Sequence, residues 1–127
     1  MPDKAPTIVA QIRGPSIFGQ PGKEAYSFME AGEPLLLSRE PTNPVDSNAV
    51  LVTYIDQPVG YVGREWAAIL APWMDSGWVY IGRVEAPCSK KKGRLGWMMK
   101  TDAEVRYTPL QPMRLSVTTK ERIDEPA

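Results

Sequence analysis

Short segments rich in β-branched and aromatic residues, each cut off by proline, glycine or Asx punctuation, decide what this chain can fold into. Thr7–Ile12, Leu35–Ser38, Val50–Tyr54, Gln57–Val62, Trp78–Val84, Ala103–Tyr107 and Met113–Val117 are such segments. Strands of this length at this spacing predict a small barrel or sandwich. The proline in Gln57-Pro58 suits the first position of a strand, where a missing N–H does least harm. Two helices interrupt the series. Arg64–Met74 carries Trp66, Ile69, Leu70 and Trp73 at the i, i+3, i+4, i+7 spacing of one apolar face. Pro72 should kink or end it, and Asp75-Ser76-Gly77 supplies a stop. A weaker helix covers Lys23–Ala31, with Ala25, Phe28 and Met29 on one side and Gly32 after it. The expected class is mainly β (α+β): a six- to seven-stranded barrel with one or two helices.

Composition narrows the chemistry. The chain has 127 residues, enough for one domain with a real core, expected over about residues 7–118. Residues 1–6 and 119–127 are charged, proline-flanked and poor in apolar side chains, so both ends are expected to be loose. Fifteen Lys+Arg balance fifteen Asp+Glu, so any grip on nucleic acid must come from a local patch, not the global field. With no histidine and a single Cys88, an intramolecular disulfide, a cysteine zinc cluster and imidazole-based catalysis are all out of reach. No stretch approaches the ~18 apolar residues of a membrane span, and the first residues lack a signal core. The expectation is an intracellular, cytoplasmic domain with no metal, no cofactor and no membrane partner.

One connection stands out. Between the strands ending near Ser38 and beginning at Val50 runs 38-SREPTNPVDSNAV-50, long for a hairpin and free of glycine. Asn-Pro and Asp-x-Asn are what tight turns use for side-chain-to-backbone bonds, so a purely structural reading of Asn43, Asp46 and Asn48 is available. Arg39 and Glu40 at the strand exit read as mainly structural as well.

In order, the pieces are a glycine-containing loop after the first strand, then L-x-L-x-R-E-P-x-N-P-x-D-x-N-A-V, then V-G-Y-V, then the A-x-x-L-A-P helix and D-S-G. This run resembles the HIRAN domain over roughly residues 7–110. The resemblance implies a small barrel similar to the OB or SH3-like folds, decorated by helices. It also implies a non-catalytic module that captures single-stranded DNA at a free 3′ end. In that setting Asp46 gains a second reading. A carboxylate repels phosphate but accepts a proton from a sugar hydroxyl, which a 3′ end offers and an internal phosphodiester does not. Asn43 has both donor and acceptor for the same nucleotide, and loop amides could add uncharged donors. Tyr61 and Arg64 fall where relatives carry polar or basic ligand contacts; Arg64 is poorly placed for the helix dipole, which favours acids there. One departure is plain: the position before the aspartate, typically tyrosine in DNA-binding relatives, is Val45. Phe18 is a substitute platform, unless it folds into the core.

The second candidate is 88-CSKKKGRLGWMMK-100. Lys90, Lys91, Lys92 and Arg94 flank Trp97 in the one concentrated basic segment of a neutral chain. Cations that track phosphates beside a stacking ring suit single-stranded nucleic acid. The alternatives are a solvated turn or the start of a core strand, and Gly93 and Gly96 predict a mobile loop in either case.

Two function classes remain: a module binding single-stranded DNA or DNA 3′ ends, in a repair, bacterial or phage setting, and a protein-interaction adaptor that has lost DNA binding. An enzyme is not expected. Metal-dependent nuclease chemistry needs several convergent carboxylates, and only Asp46 and Glu40 are near one another in sequence. No phosphate-binding G-x-x-x-x-G-K-[ST] loop is present.

Overall fold

The computed structural model describes residues 4–94 and 96–110, and only the backbone at 90–93 and 96–100. Alternation sets the strands. β1 (Ile8–Arg13) turns Ile8, Ala10 and Ile12 inward, β3 (Val50–Tyr54) turns Val50, Val52 and Tyr54 inward, and β8 (Glu104–Leu110) buries Val105 and Tyr107. With β2 (Pro34–Arg39), β4 (Gln57–Val62) and β5 (Val79–Ala86) they close a six-stranded antiparallel barrel in the order β1-β4-β3-β2-β5-β8. No helix among the described residues is long and apolar enough to cross a membrane.

Several boundaries differ from the sequence expectation. The basic segment is not a loop: β6 (Ser89–Gly93) and β7 (Gly96–Thr101) pair as a separate two-stranded antiparallel hairpin. Gly93 pairs with Gly96 across the two-residue tip, the spacing of a tight turn. β8 runs through Thr108 and Pro109, expected to be a loop, because Pro109 stands opposite Tyr80 without needing an N–H there. The start of the chain is tied down earlier than its composition suggests. Ala5 is buried and the Pro6 carbonyl accepts the Tyr80 hydroxyl at 2.6 Å. The expected strand Met113–Val117 lies outside the described residues.

Both helices form, shifted from expectation. After a 3-10 turn (Pro15–Phe18), α1 (Gly19–Phe28) buries Gly22 and Tyr26, while Phe28 is 69% exposed. α2 (Arg64–Asp75) holds Pro72 inside its last turn and buries Ala67, Leu70, Ala71 and Trp73. Trp66 and Ile69, expected on the buried face, are exposed instead. The small alanines let the helix backbone come close to the barrel beside the buried Leu70 and Trp73, and Trp66 and Ile69 on the flank turn outward.

The β3–β4 hairpin turns on Ile55 and Asp56, both at positive φ (46° and 66°). That is the signature of a type I′ turn, which strongly prefers Asn-Gly, and a β-branched residue is strained there. Ile55 is also 75% exposed, so its side chain contributes little packing. Ile55→Asn combined with Asp56→Gly is expected to raise stability by about 1 kcal/mol, read as a higher urea midpoint at unchanged slope. An unchanged or lower midpoint would mean that Ile55 makes contacts that offset the strain.

Candidate nucleic-acid interface

The long connection between β2 and β3 is two turns set back to back. Asn43 N–H donates to the Glu40 carbonyl and Ala49 N–H to the Asp46 carbonyl, both at 3.0 Å. Side chains staple each turn: Asn43 Oδ1 accepts the N–H groups of Val45 (2.9 Å) and Asp46 (3.2 Å), and Asp46 Oδ1 accepts that of Asn48 (2.9 Å). The loop is therefore long because it carries its own scaffold, which is the Asx-turn chemistry the sequence suggested. It also means that the amides of Val45, Asp46 and Asn48 are spent inside the loop and are not available as donors to a ligand.

Three further contacts fix this shelf to the barrel. Arg39 forms a two-pronged pair with Asp75 at the end of α2 (2.9 and 3.0 Å) and donates to the Ala49 carbonyl. The Arg39 guanidinium bonded to Asp75 lowers that carboxyl's pKa from its ordinary value. Glu40 Oε1 accepts both the Asn43 amide (2.9 Å) and the Tyr61 hydroxyl (2.8 Å). Burial and the Glu40 carboxylate raise the Tyr61 pKa, which keeps the phenol a neutral donor. Arg64 donates to the Val45 carbonyl at 2.9 Å, and its Nε lies 3.7 Å from Asp46 Oδ2.

Between the shelf, the end of β1 and the start of α2 lies a groove of about 440 Å³. Arg13, Ile17, Val45, Asp46, Tyr61 and Arg64 are among the residues that line it. Its electrostatics are mixed by construction. The Arg13 and Arg64 side chains are 57% and 72% exposed, whereas Asp46, at 21%, is the more sheltered charge. Arg13 has one long contact, 3.9 Å, to Asp102. Such a groove offers cations at its mouth, one carboxylate in its wall and aliphatic surface from Ile17 and Val45, which are 67% and 77% exposed.

The residues singled out from sequence thus divide. Asn43, Asp46, Tyr61 and Arg64 all line the groove, although the Asn43 acceptor is committed to the loop. Phe18 neither stands free nor enters the core: its ring packs on Tyr61, centroids 5.8 Å apart and planes tilted by 32°, so it supports the groove from behind. Lys90, Lys91, Lys92 and Trp97 sit on the separate hairpin, where Lys92 pairs with Trp97, Lys91 with Met98 and Lys90 with Met99; their side chains lie outside the described residues. Arg94, at the hairpin tip, is exposed. Sequence reading missed Arg13 and Ile17. Arg13 is the last residue of β1, and it reaches the groove because it pairs with Tyr61 across β4, a contact no local pattern announces.

The fold and groove define a small closed β-barrel with a proline-braced shelf over one mouth. Residues 10–105 match the HIRAN domain, and the chain belongs to that family. The crystal structure of the HIRAN domain of human HLTF is similar in fold, with a TM-score of 0.54 at 20% identity, covering 80% of this chain and 74% of that one. A crystal structure of a protein from Lactobacillus plantarum is similar as well, with a TM-score of 0.55 at 19% identity, covering 81% of this chain and 99% of that one. No curated protein matches.

Proposed function

We propose that this chain is a non-catalytic DNA-binding module that engages single-stranded DNA and takes a free 3′ end into the groove beside Asp46. Family membership supports nucleic-acid binding in general, through the function that the HIRAN resemblance implies. The observation that carries the finer reading is the placement of one sheltered carboxylate, Asp46, in the wall of a groove whose mouth holds Arg13 and Arg64. The arginines attract a phosphate backbone, while the carboxylate repels a phosphate that comes close. A terminal 3′ hydroxyl satisfies both, since it donates to Asp46 Oδ2 while the adjoining phosphate stays with the cations. Outside the groove, the basic hairpin supplies contact with the backbone that is indifferent to sequence.

A labelled single strand ending in a 3′ hydroxyl is expected to bind more tightly than the same strand ending in a 3′ phosphate, at two salt concentrations. Lys91→Ala and Lys92→Ala are each expected to weaken both strands evenly and to reduce the salt slope by about 1. Equal affinity for the two ends would overturn the end-reading role while leaving DNA binding intact. No binding to any oligonucleotide would shift the function to a protein-interaction adaptor.

A further inference from the structure

Val45 brings no aromatic face to the groove, and the Phe18 ring is engaged with Tyr61. A ring nonetheless stands near the groove, beyond its lining residues. Trp66, two residues beyond Arg64 in the first turn of α2, is 37% exposed although its spacing predicts burial. Its position is defined by Gly63. A Cβ at Gly63 would lie 3.5 Å from Trp66 Cδ1, 3.7 Å from Arg13 Cγ and 3.4 Å from Glu65 Oε1. Gly63 is itself buried, so the indole and the Arg13 stem close over its backbone and lie next to one another. Arg13 itself lines the groove, so the indole stands just beyond that lining residue.

We propose that Trp66 is a second stacking platform, which receives the base next to the one held in the groove as the strand leaves past Arg13. This rests on the single-stranded DNA reading above. The charges around the indole favour a base as its partner. Arg13 and Arg64 stand on the groove side to meet the connecting phosphate, while the nearby Glu65 carboxylate disfavours a phosphate beside the indole and leaves its exposed face to an uncharged ring. A strand held by apolar contact in the groove and by stacking on Trp66 does not need the tyrosine that Val45 replaces.

The test uses fluorescence anisotropy with strands ending in a 3′ hydroxyl, intact or carrying one abasic site at each of the last four positions. Trp66→Leu keeps apolar bulk but has no π-face, and it is expected to bind the intact strand about five- to a hundred-fold more weakly, the range one base stacked on an aromatic ring accounts for. Trp66→Phe should lose less. In the wild type an abasic site at one position should carry a similar penalty, and Trp66→Leu should erase that penalty there and nowhere else. The preference for 3′ hydroxyl over 3′ phosphate should survive both substitutions. If Trp66→Leu binds like the wild type, or weakens every strand while each abasic penalty persists, Trp66 is no platform even though the end-reading role stands. If the wild type binds none of the strands, the DNA reading fails and this inference fails with it. Should the leucine variant not fold, the phenylalanine variant and the wild-type abasic series decide the question on the same criteria.

Discussion

Gly60→Ala is expected to destabilise the domain by about 4 kcal/mol, close to the whole stability of many small domains. Gly60 is buried in β4 at a φ of 152°, and a Cβ there would fall 2.4 Å from Ile12 Cγ2 and 2.7 Å from the Arg13 carbonyl oxygen. Neither neighbour can step aside: Ile12 is fully buried, and Arg13 contributes backbone. The two terms are the overpacking of a filled core and a backbone conformation that residues with a Cβ rarely adopt. The same close approach lets β1 and β4 pair at Ile12–Val62 and Arg13–Tyr61, so it also brings Arg13 and Tyr61 to the groove. The variant should show a large fall in urea midpoint, or fail to accumulate as folded protein. A loss below about 1 kcal/mol would show that the barrel wall can yield there.

Tyr26→Phe is expected to cost about 2 kcal/mol, while Tyr107→Phe, at an equally buried tyrosine, should change stability by less than about 0.5 kcal/mol. The Tyr26 hydroxyl accepts the Ala103 N–H at 2.7 Å and donates to Asp102 Oδ1 at 3.3 Å. It links α1 to the turn between β7 and β8, whose Ala103 carbonyl in turn accepts the Ile12 N–H. Ala103 is fully buried, so removing the hydroxyl leaves its N–H with neither protein nor water as partner. Tyr107 differs in one respect: its hydroxyl has no hydrogen-bond partner among the described residues. Burial raises the pKa of both phenols, so both stay neutral across the ordinary pH range and the comparison is free of charge effects. Equal losses for the two variants would mean that ring packing, not the bond to Ala103, decides the contribution of Tyr26.

How far the chain could be read from its sequence depended on whether the cause was local. β1 and β3 follow from their β-branched runs, and the shelf's turns follow from Asn43 and Asp46, whose side chains reach only two or three residues away. The groove depended on distant partners. Tyr61 meets Glu40, Arg39 meets Asp75 and Arg64 meets Val45 only after the barrel closes. The α2 face is only half legible, because i, i+3, i+4, i+7 spacing of large apolar side chains leaves out the small residues that also pack inward. Leu70 and Trp73 are buried as expected, but Ala67 and Ala71 share the buried face with them, and Trp66 and Ile69 turn outward. Of the readings open for the basic segment, the turn and the strand start agree with the hairpin, because its glycines mark a turn and not a long loop. Gly93 and Gly96 bracket a two-residue turn.

The central claim is that Asp46 reads a hydroxyl in a groove that otherwise attracts phosphate. The direct measurement is the affinity ratio for strands ending in 3′ hydroxyl and 3′ phosphate, taken for the wild type and for Asp46→Asn. Asparagine keeps an oxygen for the Asn48 N–H, so the shelf survives, but it removes the charge that repels phosphate and strengthens the bond to a hydroxyl. The account predicts that the wild type favours the hydroxyl end by about tenfold or more and that Asp46→Asn brings the ratio close to one, chiefly by improving binding of the phosphate end. A ratio that is the same in both proteins would contradict it.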